Sequence, residues 1–374
     1  MFEIRGRYAT AECHAASLSN DAMSQVMAML NQPFAAGQRV VLMPDAHAGK
    51  GCVVGTTMTV TDKICPNLVG TDIGCGMYVA RLATSKIDLK AVDEACHTLS
   101  ANGIQGYVPN LRCPHTAVDA YRVCQDMATL GGGNHFVEVD SDGSGRFVLV
   151  IHSGSRSLGR QVATYWQQVA ESRREHSVPK GLAWLEGDDM KAYLADVETC
   201  VTWAKLSREA MAARITSAVD ANVTTTFHAV HNYVDAKRMV LRKGAISAEE
   251  GELSIVPLNM ADGALLVCGR GNDAWNRSAP HGAGRAMSRA QAKATLSLAE
   301  YARRMHGIYT TTMDASTLDE SPSAYKPAHE ILEAIEETAD IVDMLTPVYN
   351  YKSAGRAKPA GRDTSHNRRN LETE

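Results

Sequence analysis

Gly70-Thr71-Asp72-Ile73-Gly74-Cys75-Gly76-Met77 is the stretch that decides how this chain folds. It is a glycine-rich turn between two β-prone runs, Val53–Val60 and Met77–Leu82, and it carries a carboxylate and a thiol three residues apart. The same alternation of short β-rich runs with Gly- and Asp-rich turns begins at Arg39–Met43. Further on, Phe147-Val148-Leu149-Val150-Ile151 is a continuous apolar run, the pattern of a buried strand, and it leads into His152. Leu253–Pro257 and Ala264–Cys268 are also strand-like. Helical spacing marks Ser19–Leu30, with Met23, Val26, Met27 and Leu30 on one face and Pro33 as a stop. It also marks residues 160–176, 188–218 and 288–306, and residues 328–345, where Ile331, Leu332, Ile335, Ile341, Val342 and Leu345 form the apolar stripe. Residues 86–130 read as mostly helical around a loop at Gly103–Pro109. Strands and helices interleave irregularly, which predicts a mixed α and β fold without regular βαβ repetition.

Composition narrows the function classes. The 374 residues are 45% apolar and 21% charged, which excludes a disordered chain, a collagen-like repeat and a disulfide mini-scaffold. A net charge of −4 offers no global attraction to polyanions, so a nucleic-acid site has to be a local patch. Nine cysteines, an odd number without a C-x-x-C pair, argue against a zinc ribbon or a disulfide framework and for a reducing cytoplasm. The start, Met1 to Arg7, is not a basic-then-apolar signal, and no apolar run reaches the roughly 18 residues that span a membrane. The expectation is a soluble cytoplasmic protein with no membrane partner. Residues 353–374 lack large apolar side chains except Leu371, and they read as a polar, basic, disordered tail.

Ligand-type residues recur at strand ends, each set among glycines. They include Pro44-Asp45-Ala46-His47-Ala48-Gly49-Lys50-Gly51, the turn quoted above, Gly133-Asn134-His135-Phe136-Val137-Glu138, His152-Ser153-Gly154-Ser155-Arg156, His231-Asn232-Tyr233 and His281-Gly282-Ala283-Gly284-Arg285. Glycine lets backbone approach a bound group closely. Asp72 and Cys75 suit a divalent cation, and imidazole is the commonest metal ligand, which brings in His135, His152 and His231. Taken singly, each reads more readily as a turn aspartate, a core cysteine or a satisfied core histidine than as a ligand, and only the joint pattern shifts the balance. The residues alone leave both readings open. The loop after His281 offers bare N–H groups, a following helix and Arg285 as a phosphate fork. His152–Arg156, with Arg160 a turn later, is a second candidate anion loop. Arg156, Arg160, Arg238, Arg242, Arg270, Arg285 and Arg289 together could line an RNA groove. A G-x-x-x-x-G-K-[ST] loop, a K-x-D-G lysine and a G-x-S-x-G elbow are all absent from the sequence. A covalent step on a nucleotide therefore falls to His or Cys.

These blocks, with Arg242-Lys243-Gly244-Ala245 and Met287-Ser288-Arg289, occur in an order that resembles the RtcB family of RNA ligases over about Val40 to Lys352. The resemblance implies an α+β fold, a single mixed RtcB-type domain over residues 1–352 with a central metal-containing cleft. It implies an enzyme, a GTP- and Mn²⁺-dependent ligase that joins an RNA 3′-phosphate or 2′,3′-cyclic phosphate to a 5′-hydroxyl in RNA repair or tRNA splicing. One Mn²⁺ would be held by Asp72, Cys75 and His135, and a second by Cys75, His152 and His231. His281 would be guanylylated by GTP and pass GMP to the RNA 3′-end, with Asp72 and Cys75 as its catalytic metal ligands. Asn134, Glu138, Asn232, Pro257, Asn259, Met260, Gly282, Ala283, Gly284 and Lys352 would contact the nucleotide. Softness of the Cys/His set alone would favour Zn²⁺, whereas the resemblance implies Mn²⁺.

The sequence also looks like the shorter branch associated with peptide release factor H. It departs from the family pattern at Leu258, Asn259 and Ala264 in the nucleotide loop, and at Ala279-Pro280 before His281. Those departures keep two alternatives in play: a metal-dependent cyclic phosphodiesterase or phosphatase, and an RNA-end sensor that does not ligate.

Overall fold

The computed structural model describes residues 1–49, 51–101, 113–173 and 178–353. The loop expected at Gly103–Pro109 and all of the expected tail but Ser353 lie outside the described residues. The fold is mixed α and β, with eight α-helices and two large sheets among the described residues.

The larger sheet has seven strands. In spatial order they are Val223–Val230, Gly76–Leu82, Phe147–Ser153, Phe136–Ser141, Ala339–Tyr351, Gly263–Gly269 and Leu253–Asn259, and every pairing is antiparallel. Four of these runs sit where β-branched and apolar residues predict strands, with ends shifted by one or two positions. The six-stranded sheet runs Phe2–Arg5, Thr10–Cys13, Val40–His47, Val54–Thr59, Val240–Lys243 and Asn232–Asp235, and only Thr10–Cys13 against Val40–His47 is parallel.

Register in the larger sheet positions the site. Met77 faces His152 across one ladder, Phe136 faces His152 across the next, and Gly76 faces both Ser153 and Val230. Cys75, His135, His152 and His231 are thus side by side at one end of four neighbouring strands. His231 is also the hinge where the chain leaves the larger sheet and enters the smaller one at Asn232.

The helix Gly187–Ala218 buries Tyr193, Cys200, Trp203, Ala204 and Arg208 against this scaffold. Its Val201 Cα approaches so closely that a Cβ on Gly74 would lie 3.0 Å away. Arg208 is fully buried and donates from Nη1 to the carbonyls of Gly74 and Ser153, so the helix clamps the turn that presents Cys75. The opposite face of the sheet carries a second core, which includes Met77, Val79, Phe136, Val148, Val150, Ile331 and Ile335.

Several helical expectations need correction. Residues 328–345 do not form one helix: the helix ends at Ala334, and Ala339–Tyr351 is a strand. Its register against Gly263–Gly269 slips between Leu266 and Val267, which leaves Val342 as an extra residue, while Ile341, Val342 and Met344 are exposed. A bulge breaks strict alternation and mimics helical spacing. Residues 288–306 form two helices, Arg289–Thr295 and Leu298–Arg304, because Leu296 is extended and Ser297 caps the second by accepting from the Glu300 N–H. Between 86 and 130 only Leu89–His97 and Ala120–Asp126 are helical among the described residues. The helix expected from residue 160 starts a turn earlier, at Arg156. In Asn20–Leu30 the fully buried face is Ala22, Val26, Met29 and Leu30, with Met23 and Met27 only half-buried.

Candidate active site

The strand ends open into a cleft of about 1180 Å³. Its lining includes Asp72, Cys75, Asn134, Glu138, His152, His231, Asn232, Pro257, Asn259, Met260, His281, Gly282, Ala283, Gly284 and Lys352. The candidate nucleotide contacts read from the sequence therefore share one cavity.

Cys75 lies at the centre of the cluster. Its Sγ is 3.5 Å from His135 Nε2 and 3.3 Å from His152 Nε2. His135 Nε2 is also 3.1 Å from Asp72 Oδ2, and His152 Nε2 is 3.3 Å from His231 Nε2. The outer ring nitrogens explain the orientation. His135 Nδ1–H donates to the Leu130 carbonyl at 2.9 Å, and His152 Nδ1–H donates to the Asn134 carbonyl at 3.1 Å. A carbonyl only accepts, so each Nδ1 carries a proton and each Nε2 faces the cluster.

The donor set fits a cation. Burial, reinforced by neighbouring positive charge, holds His152 and His231 well below the ordinary imidazole range, so both rings stay neutral. His231 Nδ1 is buried with no partner. Burial, and then the Asp72 charge, push the Cys75 thiol well up, which is the cost of a buried thiolate with no cation beside it. Burial also works against the Asp72 carboxylate, but the hydrogen bond and charge of His135 hold it below its usual range. Sulfur and imidazole groups converging within a few ångströms make a candidate metal site beside the cleft. Gly154 makes room for it, because a Cβ there would run into the Asp72 carboxylate.

His281 follows the short strand Ser278–Pro280, which pairs with Ala245–Ser247. Its ring centroid is 4.9 Å from that of His231. Its Nδ1 is 2.7 Å from Oδ2 of Asp45, a fully buried residue of the strand Val40–His47. Gly244, at φ +63°, passes so near that a Cβ would sit 3.1 Å from His281 Cε1. Asp45 was not singled out by sequence reasoning. Its signal was present, since it belongs to the Pro44–Gly51 block, but the pairing spans 236 residues.

Several of the expected residues already have partners within the protein. The Asn232 amide is occupied by the Asp72 carbonyl and the Gly244 N–H, and the Asn259 carbonyl oxygen accepts from the N–H groups of Ala261 and Asp262. Arg285 is not an open phosphate fork: it donates to the Met287 and Asp319 carbonyls and pairs with Glu320 at 3.3 Å. His152–Arg156 is a packed turn, with Ser153 and Ser155 buried and donating to the Leu130 and Ile73 carbonyls. The seven arginines do not share a groove. Arg242 is buried against Tyr233, Asp235 and Ser278, Arg238 pairs with Glu249, and Arg270 pairs with Asp340. Arg285 and Arg289 do line the cleft. Lys352 donates to Glu320 at 2.9 Å, a partner the sequence did not suggest.

Comparison with known proteins gives one consistent result. The sequence profile described as tRNA-splicing ligase RtcB matches residues 25–115 and 112–353. The RNA-splicing ligase RtcB of Escherichia coli K12 is 29% identical, over 88% of this chain and 93% of that protein. The tRNA-splicing ligases RtcB of Aeropyrum pernix and Nanoarchaeum equitans are 26% and 23% identical, over 78% and 83% of this chain and 82% and 87% of those proteins.

Proposed function

The chain belongs to the RtcB family, and from that premise we propose that it joins an RNA 3′-phosphate or 2′,3′-cyclic phosphate end to a 5′-hydroxyl end, using GTP and two Mn²⁺ ions. The observation that carries this reading is the convergence of Cys75, His135, His152 and His231 beside His281, whose Nδ1 is tied to Asp45. Residues 1–352 act as one catalytic unit in this reading.

Asp72, Cys75 and His135 would hold one metal, and Cys75, His152 and His231 the other, with Cys75 shared. Bound there, two divalent cations neutralise phosphate charge and orient attacking and leaving oxygens. Asp45 accepts from His281 Nδ1–H and leaves the Nε2 lone pair free. His281 Nε2 attacks the α-phosphorus of GTP; the N–P bond forms as the bond to pyrophosphate breaks. The RNA 3′-phosphate then takes GMP from His281, and the 5′-hydroxyl attacks the activated end and expels GMP. Glu138, Asn134 and Lys352 are suited to hold the guanylate in the cleft. The family implies RNA as substrate, and a functional link to release factor H and a cytoplasmic setting belong to the same reading. Among the described residues, no helix is long and apolar enough to cross a membrane.

The test is ligation of a 3′-phosphate RNA to a 5′-hydroxyl RNA with GTP and Mn²⁺. A joined product that disappears in His281→Ala is expected. One observation favours a hydrolytic reading: the Asn259 side chain is engaged by its own turn. That reading predicts opening of a 2′,3′-cyclic phosphate without GTP and no joined product.

A further inference from the structure

Asp140 is fully buried, and neither of its carboxylate oxygens has a hydrogen-bond donor. It lies in the strand Phe136–Ser141, two residues beyond Glu138 and on the same face. Across the two flanking strands, Asp140 faces Val148 and Pro347, while Glu138 faces Val150 and Asn350. The surroundings of the two carboxyls therefore differ sharply. Glu138 Oε2 accepts from Asn350 Nδ2 at 2.6 Å, feels the Lys352 ammonium and opens on the cleft. Asp140 meets apolar side chains and the Glu138 carboxyl.

Two adjacent buried carboxyls do not both ionise, because each charge raises the cost of the other. One proton stays on the pair. Asn350 and Lys352 favour the charge on Glu138, and nothing comparable favours it on Asp140. We propose that Asp140 is a positioning residue for base recognition: it keeps a proton and donates it to Glu138, so that Glu138 faces the cleft as a carboxylate that accepts from two adjacent N–H donors, the pattern guanine presents and adenine does not. This rests on the reading that the cleft takes a guanine nucleotide.

The electrostatics agree. Burial raises Asp140 well above the carboxylate range, and the Glu138 charge raises it further. Burial raises Glu138 to about 7, against the lowering effects of Asn350, Asp140 and Lys352. Strand neighbours Val148, Val150, Pro347 and Asn350 carry no charge, and the charged groups that act on the pair are the two carboxyls themselves and, on Glu138, Lys352. The proposal therefore places a single charge on the pair above about pH 7, on Glu138.

Two measurements on the full chain test this. The first is infrared spectroscopy at pH 8 of wild type, Asp140→Asn and Glu138→Gln. The proposal expects the carbonyl band of a buried protonated carboxyl in wild type and its loss in Asp140→Asn. A band that survives in Asp140→Asn and vanishes in Glu138→Gln puts the proton on Glu138 and overturns the proposal.

The second is calorimetric binding of GMP and AMP between pH 6 and pH 8.5. In wild type, GMP affinity should fall about tenfold from pH 8 to pH 6 as Glu138 takes up a proton. Asp140→Val removes the donor; it should weaken GMP by roughly tenfold at pH 8 and move the midpoint to higher pH. Asp140→Asn keeps a donor and should rescue both changes. Equal loss in Asp140→Asn and Asp140→Val, or a midpoint that Asp140→Val leaves in place, contradicts the proposal. The infrared band with no GMP binding to wild type at any pH would keep the protonation but overturn the guanine reading on which the selectivity rests.

Discussion

His281 Nδ1 lies 2.7 Å from a carboxylate oxygen of Asp45, whose side chain is wholly buried while the imidazole opens on the cleft. A buried acceptor fixes which ring nitrogen carries the proton and leaves the other with a free lone pair. Asp45→Asn keeps the shape but replaces the acceptor with an amide that presents its own N–H. Transfer of GMP to the protein should fall by about 10²- to 10⁴-fold, with metal content unchanged. Single-turnover labelling with GTP measures this, and a rate within threefold of wild type would remove Asp45 from the account.

The shared position of Cys75 predicts a second result. Its sulfur faces His135 and His152 at 3.5 and 3.3 Å, so its loss affects both halves of the cluster. Cys75→Ser should reduce Mn²⁺ affinity by more than about 100-fold, beyond what the loss of an outer partner costs. Equilibrium dialysis of the two proteins, followed by metal analysis, reports it without reference to catalysis.

Gly154 is a steric test of the same centre. A Cβ at this position would collide with the Asp72 carboxylate. Gly154→Ala should cost about 1–3 kcal/mol of stability through local overpacking. Metal binding should weaken along with it, because Asp72 has to turn away. A Gly154→Ala protein that binds Mn²⁺ like wild type would show that Asp72 is not needed where it stands.

Glu320 joins Lys352, Arg289, Arg285 and Tyr325 at the rim of the cleft. Burial works against its charge, but Lys352 and Arg289 hold it down to about 2. A carboxyl with a folded-state value below its unfolded one stabilises the fold above about pH 4.5, and that contribution is lost as pH falls toward 2. Glu320→Gln should destabilise by about 3–5 kcal/mol near neutral pH, because it strands buried cations. The gap between mutant and wild type should narrow on acidification through that window. Thermal melts against pH measure it, and a gap independent of pH would contradict the assignment.

Much of the site was legible because its residues carry local signals. His135, His152 and His281 stand next to strand ends and glycines, and the chemistry of each residue type is visible one motif at a time. Partnerships across the chain were not. Asp45 with His281, Glu320 with Lys352 and Asp140 with Glu138 each depend on register or on contacts between distant segments. The last is only two residues apart, yet its meaning comes from the apolar strands beside it. The strand Ala339–Tyr351 was misread for a related reason. Its bulge at Val342 places Ile341, Val342 and Leu345 at helical spacing, and the sheet pairing that decides otherwise involves residues some eighty positions earlier. Arg285 and Arg242 were read as open cations, although both are engaged by partners that no motif includes.

The central claim is that His281 carries GMP beside a metal cluster built on Cys75. Incubation with GTP labelled at the α-phosphate and Mn²⁺, followed by acid treatment, tests it most directly. The account predicts an acid-labile label on the protein that is absent from His281→Ala and from Cys75→Ser. A wild-type protein that never takes up label with Mn²⁺, Zn²⁺ or Mg²⁺ would contradict it.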